Sequence, residues 1–467
     1  MKKILLGLYL FVLFMSCSKV HVNYDIRKPD STDRAIVPVD FPYVGVKDFN
    51  FPEEPNTIYS WLNDESNLSV AKHAWGIWAG LTKPTGQAYQ GQELYVYETW
   101  FGVQELSDAS GSMDKEGGCT KLKFSRTALD FPKQFAHAGL QATPDVDTDY
   151  AILETVAYSP DAACFSTQEL IFNQSTLDKY AVKDKIGKIP DFPVSSITTK
   201  PTYYVVKASS GLVRLPVWTT TPVPAKVFGH KLWDHFVYVD LDNKQEFSKR
   251  LTPVVGDNPT DKQIENATCN AADFIHFKLD EDMAAYLNMQ QDKGTDPSHQ
   301  FQAGDFALLV AMHVTTKEIP NWTWQTYYWA ADPSNPGEPS SPLYAAVRPK
   351  ELVGAASHYA VSPCYSMVTP DQPTFGGTDK GASPVICYNP YLEAGFGPSV
   401  FQFKNQWRPD FEYGVQTNCP SCHALATASG KLGYSTDQYI DMENPAFVNE
   451  VQLDFAWSVQ GNINSDR

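Results

Sequence analysis

Apolar residues along this 467-residue chain follow two periods. Runs of β-branched and aromatic residues, each of strand length, occupy Leu94–Phe101, Tyr150–Val156, Tyr203–Lys207 and Trp233–Val239. Phe306–Val314 and Trp322–Trp329 form a further pair joined by a turn containing Pro320, which predicts a hairpin. Helical spacing is rarer. Leu68–Leu81 carries apolar residues on two stripes, so the helix it predicts is buried on most sides. Ser175 to Asp178 opens a short helix, and Asp280 to about Gln291 predicts a third. Late in the chain Val451, Leu453, Phe455, Trp457 and Val459 alternate with other residues, the mark of a half-buried strand. Clusters of Pro, Gly, Asn and Asp separate the runs, and the whole predicts a mainly β body, sandwich-like, with a few short helices.

The first residues add a compartment. Met1, Lys2 and Lys3 precede an apolar run from Ile4 to Phe14, too short to span a bilayer and of the length of a signal peptide. Ser16 followed by Cys17 resembles the lipobox of bacterial lipoproteins, which implies that Cys17 is lipidated. The chain then divides into a leader over 1–16, a polar, proline-dotted tether over 17–42, a β-rich body over 43–404 and a final segment over 405–467. No acidic run follows Cys17, so the expected location is the outer membrane, facing the periplasm. Loss of Lys2 and Lys3 takes the formal charge from −17 to −19, which disfavours nucleic acid and leaves redox proteins or cationic ligands as partners.

Of eight cysteines, Cys419 and Cys422 stand in the sequence Cys-Pro-Ser-Cys-His ending at His423. The remaining five besides Cys17 are Cys119, Cys164, Cys269, Cys364 and Cys387, and in an oxidising compartment Cys364 with Cys387 is the expected disulfide. A thioredoxin-like use of the motif needs more fold than the 44 residues after His423 supply, and zinc needs two further ligands at close spacing. The residue frequencies give about 0.003 chance occurrences of such a motif. The reading is one covalent haem c, with Cys419 and Cys422 as thioether donors and His423 as proximal iron ligand.

Pro409 and Gly414 interrupt the stretch before the motif, and the predicted strand over 451–459 follows it. A small cytochrome domain of its own is therefore excluded, and the motif is expected to be integrated into the β body. For the sixth iron position the candidates are Met442, the only methionine after the motif, and His313, whose strand neighbours are small; His358 and Met367 are further ones. His73 on the tryptophan-rich helix reads as structural. Glu98 and Glu154 are expected to point outward from strands, and Trp322–Trp329 is either core or a sugar-stacking platform.

His73–Thr82, Val96–Trp100, Ala311–Lys317, Asn321–Thr326 and Thr417–His423, in this order, resemble a group of exported bacterial cytochrome c family proteins with a large N-terminal body and one haem motif near the end. The resemblance implies haem at Cys419, Cys422 and His423 and names no substrate. Three functions follow as expectations: a membrane-anchored monohaem cytochrome in periplasmic electron transfer or haem-centred redox chemistry, a glycan-binding β-sandwich with structural or sensory haem, and a peroxidase-like haem enzyme.

Overall fold

The long apolar runs of the middle of the chain pair into one antiparallel sheet of nine strands. In chain order these are β1 (Phe101–Gly102), β2 (Lys133–Gln134), β3 (Tyr150–Glu154), β4 (Ala157–Tyr158), β5 (Ile197–Val206), β6 (His276–Lys278), β7 (Phe306–Thr316), β8 (Thr323–Trp329) and β9 (Tyr359–Cys364). The main path runs β9-β8-β7-β5-β3-β2, with β6 beside β7 and β4 bridging β5 to β1. The computed structural model describes residues 36–89, 91–109, 150–245, 250–290 and 296–464, and the backbone of short strands at 133–134, 136–137 and 140–141. The leader, Cys17, the tether up to residue 35 and Cys119 lie outside the described residues.

The hairpin expected around Pro320 is β7 and β8, in register from Thr316 opposite Thr323 to Ala311 opposite Tyr328. Alternation along β8 sends Tyr327 to one face and Trp324 to the other. The first face is covered by a helix pair, α1 (Pro55–Asn63) and α2 (Asn67–Leu81). Trp78 of α2 stacks on Tyr327 with centroids 4.3 Å apart, and its indole N–H donates to the Ala356 carbonyl at 2.9 Å. Ten residues of α2 are buried, as its two apolar stripes require. Gly76 and Gly80 are what lets the chain pass so close: a Cβ on either would sit 2.1 Å from a ring carbon of Phe49 or Phe41.

The opposite face carries the C-terminal segment. Here Phe101, Tyr158, Phe172, Trp322 and Trp324 from the body form one buried cluster with Leu425, Phe447, Leu453 and Val459. Val451–Gln452 also pairs in parallel with Gly187–Lys188. The motif segment is thus integrated into the sheet-rich body. A separate four-stranded sheet over Leu212–Pro216, His235–Asp240, Val254–Val255 and Thr268–Asn270, several two-stranded sheets and many short helices make the architecture mixed rather than a clear two-sheet sandwich. Among the described residues no helix is long and apolar enough to cross a membrane.

Two expected strands are broken by local hydrogen bonding. Leu94–Phe101 is strand to Tyr95 and again only from Phe101, because the Glu98 carboxylate accepts from the Tyr95 amide at 2.8 Å and turns Val96–Thr99 into a 3-10 helix. Val451–Val459 is a strand only over Val451–Gln452. Asp454 and Phe455 then adopt φ of 47° and 68°, and the chain reverses into a short helix at Trp457–Gln460. The Asp454 carboxylate holds this turn by accepting from Lys317 Nζ at 2.6 Å and from the Phe192 amide at 3.0 Å.

Candidate haem-binding site

Cys419–His423 forms a single helical turn, α3, with Asn418 as its N-cap and Pro420 in the first turn. Asn418 is fully buried. Its Oδ1 accepts from the Ser421 amide at 2.9 Å, while Nδ2 faces the carbonyls of Val385, Ser366 and Met367 at 2.8–3.0 Å. One amide therefore starts the motif helix and pins it to the chain leaving β9.

At the other end of α3, His423 Nδ1 lies 2.8 Å from the Phe455 carbonyl, the turn created by the left-handed pair Asp454–Phe455. With Nδ1–H donating there, the neutral imidazole carries its lone pair on Nε2. The ring packs on Trp324 with centroids 4.2 Å apart. Trp457, opening the last short helix, donates its indole N–H to the Cys422 carbonyl at 3.2 Å. Body and C-terminal segment both orient the motif.

Cys419, Cys422 and His423 share a cavity of about 360 Å³, walled by aromatic residues that include Trp324, Phe396, Tyr434 and Trp457. That volume is in the range of cofactor sites. Two ion pairs line the same cavity. Glu154 meets Lys200 at 3.1 Å, and His313 Nε2 meets Glu393 Oε1 at 3.0 Å. Burial works against a charged His313, but the Glu393 carboxylate outweighs it and raises the imidazole above its ordinary value. Burial pushes the Cys422 thiol up to about 12, so it is neutral. Two thiols, an imidazole oriented by a carbonyl and an aromatic enclosure are the donor set and surroundings that haem c requires, and the residues fit the group.

Of the residues considered for the sixth position, the fold brings only His313 to this cavity. Met442 packs against the buried cluster under the C-terminal segment, its amide bonded to the Thr374 carbonyl. Met367 is buried and its sulfur accepts from the Ile440 amide at 3.2 Å. His358 is stacked on Trp329, 3.9 Å from Asp273. His73 is structural as expected, held between Tyr365 at 2.7 Å and Glu318 at 3.2 Å. Glu154 does not point outward: its pairing with Lys200 turns it into the cavity wall. Trp322, Trp324 and Trp329 are all buried, which makes that segment core.

The expected Cys364–Cys387 disulfide is absent, and both residues are free thiols. They stand instead, both buried, with the half-buried Cys419 in a triad whose sulfur atoms all lie within 4.8 Å of one another, Cys387 and Cys419 being 3.6 Å apart. The motif's own approach to Cys387, fixed by Asn418, gives Cys387 two neighbours where the sequence suggested one. Cys164 is disulfide-bonded, and Cys269 is a buried free thiol. Glu393, Lys317, Asp454 and Asn418 escaped the sequence reading. Asn418 alone had a local signal, an N-capping residue directly before Cys-Pro.

Compared with known proteins, the chain matches no protein-family model, no curated protein and no solved structure.

Proposed function

We propose that the chain is a monohaem c-type cytochrome, exported and anchored through Cys17 to the periplasmic side of the outer membrane, working in electron transfer or redox chemistry at the haem. The observation that carries this reading is the convergence of Cys419, Cys422 and His423 on one aromatic-walled cavity, with His423 Nδ1 tied to the Phe455 carbonyl. Cys419 and Cys422 would hold the porphyrin by thioethers and His423 Nε2 would face the iron. When bound, haem c supplies an iron centre that takes up and releases single electrons at a potential set by its axial ligands and surroundings. Trp324 and Trp457 wall the cavity, Trp324 packing on the imidazole and Trp457 tying down the Cys422 carbonyl. The partner is a redox protein or small molecule; the acidic chain disfavours nucleic acid.

His313 and Glu393 support a second reading, a peroxidase-like enzyme. With its Nε2 engaged by Glu393, His313 is an oriented acid–base group in the wall of the same cavity. The glycan-binding alternative draws no support from Trp322–Trp329, whose indoles are buried.

The full chain produced in an exporting host with haem c maturation factors should carry covalent haem, and Cys419→Ala with Cys422→Ala should abolish it. Colourless wild-type protein from that host overturns the proposal. Oxidised and reduced spectra of the same sample divide the two readings: a six-coordinate low-spin iron supports electron transfer with a histidine ligand, and a high-spin iron supports the enzyme.

A further inference from the structure

Haem attachment consumes two thiols, yet an oxidising compartment converts closely spaced cysteines to disulfides. A newly exported chain, oxidised by protein disulfide oxidants, would carry a Cys419–Cys422 disulfide that blocks the motif. Three features of the thiol triad bear on this. Cys387 Sγ stands 3.6 Å from Cys419 Sγ, and Cys364 Sγ is within 4.8 Å of both. Cys422 does not belong to the triad. All three sulfurs are held by a fixed frame, since Asn418 Nδ2 lies 3.1 Å from Cys364 Sγ while its Oδ1 caps the motif helix.

Resting on the haem c reading, we infer that Cys387 and Cys364 are a built-in dithiol that reduces the haem-attachment motif by intramolecular thiol–disulfide exchange. The sulfur of Cys387 attacks Cys419 Sγ of the motif disulfide; a Cys387–Cys419 bond forms, the Cys419–Cys422 bond breaks and Cys422 leaves as a thiolate. Cys364 then attacks Cys387 Sγ, and Cys419 leaves. Two thiols are oxidised to the Cys364–Cys387 disulfide and one disulfide is reduced to two thiols. The protons of Cys387 and Cys364 end on Cys422 and Cys419, so no external oxidant or reductant enters. In the reduced triad burial raises the Cys387 thiol and hydrogen bonds with Cys364, Cys419 and Ser362 reverse this and lower it; those from Cys364 and Ser362 do not depend on a Cys419 thiol and suit the attacking role, while Cys364 is held above its ordinary value and waits as the thiol.

The test is a thiol map of the full chain made in an exporting host that lacks haem c maturation, quenched in acid, alkylated and mapped by peptide mass. A Cys364–Cys387 disulfide with Cys419 and Cys422 alkylated is expected. A Cys419–Cys422 disulfide with Cys364 and Cys387 alkylated overturns the inference, as does a metal ion retained by the triad in the native mass spectrum. Cys364→Ser should trap the Cys387–Cys419 mixed disulfide, and its absence counts against the exchange even if Cys387→Ser fails to fold. In a competent host Cys387→Ser should lose most covalent haem and regain it on addition of dithiothreitol. Haem-free wild-type protein from that host would sink the cytochrome reading, whereas the thiol map is read without haem and tests the exchange alone.

Discussion

Asp437 illustrates how much one buried group near the motif controls. Its carboxyl lies in the loop beside Ser421 and is pushed up to about 8 by burial, which the Arg408 guanidinium 2.9 Å away only partly offsets. An unfolded carboxyl titrates near 3.9, so on raising the pH the unfolded chain gives up this proton first. The contribution is therefore fully favourable below about pH 4 and declines as the pH rises toward 8. Asp437→Asn should flatten that decline, and urea midpoints at pH 5 and pH 8 should differ less than in the wild type; an unchanged difference would count against the assignment. His313 gives the second test at this scale. If haem c is bound as proposed, His313→Ala should change its spin state or reduction potential while covalent haem is retained, because the imidazole lines the cavity and is not one of the attachment residues. The sequence could nominate His313 from its small strand neighbours but had no means to rank it above Met442 or His358. What separates them is the register of β7 beside β8, together with Glu393 eighty residues away.

The elements show where periodicity suffices and where it misleads. The β7–β8 hairpin and α2 were legible because their apolar spacing is satisfied by the burial each receives. Val451–Val459 was not, since its alternation survives in the sequence while the backbone at Asp454 and Phe455 turns left-handed. That turn is held from a distance by Lys317, whose side chain is 5% exposed and whose partner Asp454's is 2% exposed. Removing one member of such a pair leaves a buried charge, so Lys317→Met should destabilise the protein by about 3–5 kcal/mol. Adding Asp454→Asn should restore part of this. Chemical unfolding of the single and double variants checks both, and equal losses in the two would refute the coupling. Because the Phe455 carbonyl orients His423, the single variant should also shift the potential of haem bound as proposed.

Across the whole molecule the motif is not a module. The cluster around Leu425 and Leu453 is shared with Phe101, Tyr158 and Trp322, so the C-terminal segment completes a core begun more than three hundred residues earlier. Deleting residues 451–464 should therefore unfold the body rather than trim it. Limited proteolysis of the wild type should likewise release no stable fragment carrying the motif; recovery of a folded piece spanning 405–464 would disprove this unity. This dependence was legible only in outline. Position of the motif and absence of helices around it predicted that the body covers it, while the thiol triad, which needs β9, the Cys387 loop and α3 to converge, left no pattern in the sequence.

The non-local pairing of β5 with β7, and of Gly187 with Val451, has a temporal consequence. Contacts between distant parts of a chain form late and slow the search for the native state. During that interval the motif cysteines stand close in sequence and remote from every other thiol, so mispairing with each other is the fast event. Cys387 and Cys364 reach them only when the sheet closes. Completion of the fold would then be the moment at which the early error is repaired, and proofreading of the attachment site would be timed by folding itself.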